Sequence, residues 1–162
     1  MTTHVLGARR VVLVDIHTGL GPYGHGECLP SEAVDSGAYE RSRSWWGNTV
    51  KSTRAGEAVH TGITESLRNA FVRMFCLDTE VTAITLEFGT YDSYELFFAM
   101  QAENWLHHHV KTNNPRWQRI KQEMLRIYYP NSDNHWMKMV WVRGNYVLDQ
   151  ALANIGAGTP EP

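Results

Sequence analysis

From Arg9 the chain reads Arg-Arg-Val-Val-Leu-Val-Asp-Ile16, a continuous β-branched stretch that stops at His17-Thr-Gly-Leu-Gly-Pro22, a dense turn signal. The pattern predicts a buried parallel strand that runs into a loop. From Pro22 to Gly62, Gly, Ser and charged residues dominate without periodicity, interrupted by the two large rings of Trp45-Trp46. This stretch reads as a partly ordered excursion of about forty residues, uncommon inside a compact domain, and therefore as a candidate lid or substrate wall.

After Thr64, read as a cap, Leu67, Ala70, Phe71, Met74 and Phe75 recur at helical spacing and predict a helix over 65–77 with one apolar face. Val81-Thr-Ala-Ile-Thr-Leu-Glu-Phe88 then predicts a second strand, ended by Gly89. A strand, helix, strand order places the carboxyl ends of both strands on one edge of a parallel sheet. Asp92-Ser-Tyr-Glu95 has the form of a capping box, with Leu96, Phe97, Met100 and Trp105 continuing a helix to His107-His108-His109. Asn114-Pro115 opens another, with Trp117, Ile120, Met124 and Ile127 inward before Pro130. A last helix after Asp133 carries the stripe Trp136, Val140, Val147, Ala151 and Ile155 and ends at Gly156.

Composition narrows the function classes. The 162 residues suit one domain, 43% are apolar, and 15 basic against 17 acidic side chains give a net charge of −2 with no basic cluster. Nucleic acid is not expected as a partner. The strongest apolar run, Val11–Val14, is far too short for a membrane span or a signal-peptide core, so a soluble cytoplasmic chain is expected. Cys28 and Cys76 lack metal spacing and read as reduced thiols.

Ligands of open α/β sheets collect outside the carboxyl ends of the strands. His17 closes the first strand, Glu87 lies near the end of the second, and Asp15 shares a strand face with His17. A histidine beside a carboxylate suits metal binding or general acid–base chemistry, with Asp15 orienting the group. The same residue types also serve as a turn histidine bonding backbone and a salt-bridged strand glutamate.

Two strings are more specific. Val14-Asp-Ile-His-Thr-Gly-Leu-Gly-Pro-Tyr-Gly24 and Ile84-Thr-Leu-Glu-Phe-Gly-Thr90, with Trp45-Trp46-Gly47 between them, resemble an uncharacterised microbial branch of the zinc-carboxypeptidase-like proteins, related to succinylglutamate desuccinylase and aspartoacylase. The resemblance extends from about Arg9 to Ile155. It implies an α/β fold with a mostly parallel sheet, flanking helices and a helical carboxyl terminus. It also implies His17 as a zinc ligand, Glu87 as the general base, and a peptide or N-acyl amino acid as substrate, with Thr18 and Tyr23 near it.

The chain departs from that family where the metal is concerned. Such a zinc takes two His and one Glu, two of them from a His-x-x-Glu motif, and none of the eight histidines here has Glu three places on. The chain thus resembles the carboxyl-terminal half of the fold, whether as a truncated gene, a subunit completed by an amino-terminal partner, or a binding module without catalysis. On its own it is expected to show little turnover and to self-associate through exposed sheet edge and apolar surface.

Other signals carry less. His107, His108 and His109 point about 100° apart on a helix and cannot all reach one ion, so they read as a solvated helix end. Glu57 and His60 have the reverse of the missing spacing and fall inside the excursion.

Overall fold

The computed structural model describes residues 7–30, 32–52, 55, 56, 58, 67–75, 78–109, 111, 112 and 114–156. Thr64, Cys76, Glu57 and His60 lie outside the described residues.

Among the described residues, three strands form one sheet in the order β1-β3-β2: β1 is Arg10–Tyr23, β2 is Gly26–Pro30 and β3 is Glu80–Gly89. β1 and β3 pair in parallel, as the sequence predicts, but β2 joins the other edge of β3 antiparallel. The sheet is therefore mixed. The excursion from Pro22 is also more regular than its composition suggests, since it holds β2, helix α1 (Gly37–Trp46) and a 3-10 turn (Gly47–Thr49). Short glycine-flanked elements leave little periodicity to read, and β2 becomes a strand only by pairing with β3.

The Gly-rich string does not end β1, which continues through it to Tyr23. The chain then turns at Gly24 and crosses the end of β3, with Gly24 N donating to Gly89 O (2.8 Å) and Gly89 N to His25 O (3.1 Å). A side chain at Gly89 would fall on the backbone of Gly21 and Pro22. That crossing is the physical reason for glycine after Glu87-Phe88.

The two faces of β3 differ in chemistry. Ile84, Leu86 and Phe88 point to one face, where they form the main core with Trp46 of α1 and with Trp136, Val147 and Ala151 of α5 (Asn134–Gly156). Trp46 Nε1 donates to Val147 O and Trp136 Nε1 to Gly89 O, both at 3.0 Å, so each buried indole is satisfied. Ala83, Thr85 and Glu87 point to the opposite face, toward α2 (Leu67–Val72).

Helix α2 departs from its predicted pattern. Leu67 and Met74 are exposed, whereas Arg68 is buried and donates to Leu29 O (2.7 Å) and Thr85 Oγ1 (2.5 Å). The polar face of the sheet selects the arginine over the apolar stripe.

The carboxyl-terminal helices match their prediction more closely. α3 (Ser93–His109) is capped by Asp92 Oδ1, which accepts from Tyr94 N and Glu95 N. α4 (Pro115–Tyr128) is capped by Asn114 and packs on α3 through Leu96, Ala99 and Ile127. Phe97, Met100 and Trp105 on α3 nevertheless remain exposed, so helical spacing overstates the buried face. Among the described residues, no helix is long and apolar enough to cross a membrane.

Candidate functional site

The β1–β3 ladder sets His17 beside Glu87, and the β3–β2 ladder sets Glu87 beside Glu27. One row across the polar face therefore reads His17, Glu87, Glu27, and the row behind it reads Asp15, Thr85, Leu29. His17 is half exposed at the open end, while Glu87 and Glu27 are buried.

His17 and Glu87 are each oriented by neighbours. His17 Nε2 lies 3.0 Å from Asp15 Oδ2, and its Nδ1 lies 3.8 Å from Glu87 Oε2. A carboxylate only accepts, so in the neutral imidazole the contact with Asp15 favours the proton on Nε2 and turns Nδ1 toward Glu87. Glu87 Oε1 accepts from Leu20 N at 3.1 Å, which ties the carboxylate to the Gly-rich part of β1. A Cβ at Gly19 would make only ordinary contacts, 3.6 Å from the Tyr128 ring and 3.7 Å from Glu87 Oε1, so the glycine serves its positive φ of 148° rather than space.

Arg68 lies under this row. Burial lowers its pKa, and the negative charges of Glu32 and Asp15 act in the opposite direction. Its Nε has no partner among the described residues. The guanidinium therefore braces Thr85 and the β2 backbone while placing positive charge near Asp15.

Asp15, His17 and Glu87 thus come together, whereas Thr18 and Tyr23 are engaged elsewhere. Thr18 Oγ1 donates to Tyr128 O at 2.5 Å and ties β1 to the end of α4. Tyr23 OH donates to Asp133 Oδ2 at 2.5 Å, and Asp133 Oδ1 caps α5 through His135 N and Trp136 N. Burial, and then the bond to Asp133, push the Tyr23 phenol up to about 12, while the same bond lowers Asp133. Cys28 lies on the opposite, apolar face, fully buried, and burial raises its thiol pKa. The three histidines at the end of α3 are exposed, with His107 bonded to Glu103 and His109 stacked on Trp105.

Glu27 and Arg68 were not apparent from sequence. Glu27 sits in a five-residue strand too short to show alternation, and Arg68 is a single charge within an apolar helical pattern. Their positions follow from register and helix docking, for which neither segment carries a local signal.

The row does not by itself make up the zinc centre implied by the resemblance. Among the described residues, no three His, Cys, Asp or Glu side chains come together to hold a metal ion. One imidazole with its carboxylate neighbours falls short of the three-ligand set a catalytic zinc requires.

No curated protein and no solved structure matches the chain significantly. A profile for the family described as "Protein of unknown function (DUF2817)" matches residues 1–143, and the chain belongs to that family.

Proposed function

We propose that the His17–Glu87 row is part of the centre of a carboxypeptidase-like hydrolase of peptide or amide bonds. The observation that carries this reading is the register pairing of His17 with Glu87, their side chains 3.8 Å apart, two residues before the parallel ladder breaks at Gly19 and Gly89, toward the side on which such a fold collects its ligands. Membership of a family within the zinc-carboxypeptidase-like superfamily supports it.

In this reading Glu87 is the general base. It is buried, fixed by Leu20 N and set beside an imidazole, so it can take a proton from an attacking water and return it to the leaving amine. His17 faces the same space through Nδ1, and Asp15 fixes its tautomer. Zinc, the cofactor the resemblance implies, needs further ligands from outside the described side chains, and a partner polypeptide bearing His-x-x-Glu is the proposed source.

The test compares the chain alone with the chain combined with such a polypeptide, measuring zinc content and hydrolysis of N-acyl amino acids. The expected result is negligible turnover alone, turnover in the complex, and a loss of about 10²–10⁴-fold in the complex carrying Glu87→Gln. Unchanged turnover in that variant would overturn the role of Glu87, and tight stoichiometric zinc with robust turnover by the chain alone would overturn the need for a partner.

A further inference from the structure

A separate cleft opens on the other side of the sheet, between the turn joining β1 to β2 and the outer flank of α5, with a volume of about 610 Å³. Gly26 lines it, and a Cβ there would meet Phe88, Leu86 and the aliphatic stem of Arg143. The volume lies in the range of small-molecule sites.

Its walls combine apolar surface with positive charge. Met139, Val142 and Tyr146 supply the apolar part, and Val142 and Tyr146 are exposed. Lys138 and Arg143 supply two cations, His25 and His135 also line the space, and neither Asp nor Glu does. Lys138 forms no ion pair among the described residues.

Arg143 is held in place without being neutralised. Its Nε donates to Gly26 O (3.1 Å), its Nη2 approaches Cys28 Sγ (3.4 Å), and its guanidinium lies 5.5 Å from the Tyr146 ring centroid. Nη1 has no partner among the described residues. The nearby carboxylate of Asp133 is already committed to Tyr23 and to the first amides of α5.

We propose that this cleft binds a small organic carboxylate with an apolar body, its headgroup drawn by Lys138 and Arg143 and its body resting on Met139, Val142 and Tyr146. Two cations with an apolar floor complement a single negative charge carried on hydrocarbon. The site is independent of the His17–Glu87 row and requires no metal.

The full chain is titrated with 4-phenylbutyrate and with its neutral amide, 4-phenylbutyramide, and followed by NMR of backbone amides and methionine methyls. Saturable shifts are expected at Gly24, Gly26, Met139 and Val142, with the amide binding about tenfold more weakly. Lys138→Glu, at an exposed position, is expected to weaken the carboxylate about tenfold while leaving the amide unchanged, and Val142→Trp to block both. Equal affinity for the two compounds would overturn the proposal. So would an unaltered carboxylate affinity in Lys138→Glu, shifts centred on Trp141 and Leu152, or no saturation with either compound.

Discussion

His17 Nδ1 stands 3.8 Å from Glu87 Oε2 because the two residues are Cα partners in the parallel ladder. At that distance they are neighbours without being hydrogen-bonded, so neither group is consumed by the other. Glu87→Gln keeps the acceptor for Leu20 N and changes little volume, so its unfolding free energy from urea titration should remain within about 1 kcal/mol of the parent. A large loss of stability would mean that the carboxylate serves the fold first.

Gly89→Ala is expected to destabilise the chain by about 1–3 kcal/mol, because the added methyl has only the crossing backbone of Gly21 and Pro22 to displace. Chemical denaturation followed by circular dichroism measures this. An unchanged midpoint would show that the crossing yields freely.

Tyr23→Phe removes the bond to Asp133 and should cost about 1 kcal/mol near neutral pH. The folded phenol titrates near 12 against 10 for the free side chain, so its stabilising effect is complete below pH 10 and is lost as pH rises through 12. Asp133 is lowered, so its effect is present above the ordinary carboxylate range and is lost on acidification. Stability measured against pH should therefore fall less steeply between about 10 and 12 in the variant than in the parent. Parallel alkaline limbs would contradict the assignment.

Arg68→Ala leaves Leu29 O and Thr85 Oγ1 without their buried donor and should cost about 2–4 kcal/mol. Thermal unfolding of this variant beside Arg68→Lys checks whether the planar guanidinium, whose one nitrogen donates to both acceptors, or its charge alone is needed. Full retention of stability in Arg68→Lys would make charge sufficient.

Self-association is expected through surface that the fold leaves uncovered. β1 is an edge strand of 14 residues, Ile16 on it is 56% exposed, and Trp141 and Leu152 on α5 are 73% and 70% exposed. Sedimentation velocity should show species larger than a monomer, shifted toward monomer by Trp141→Lys with Leu152→Lys. A concentration-independent monomer in the parent would refute this.

Much of the site was legible because its parts are local. The β-branched runs fix β1 and β3, and their order predicts parallel pairing, which alone brings His17 and Glu87 to one edge. Asp92 and Asn114 announce their helices, and the stripe from Trp136 to Ala151 correctly marks the buried face of α5. Thr18 and Tyr23 were legible as members of a motif, but their hydroxyl partners, Tyr128 and Asp133, lie 110 residues away.

The sequence by itself determined which segments are apolar on one face, where the later helices are capped, and which histidine and glutamate share a strand edge. Those features depend on neighbours within a few residues. Only the tertiary structure decided that β2 joins β3 antiparallel, that Glu27 extends the row, that Arg68 rather than the apolar stripe of α2 is buried, and that Gly89 lies beneath a crossing chain. Each of these depends on which distant surface a segment meets, and periodicity along the chain carries no record of that surface.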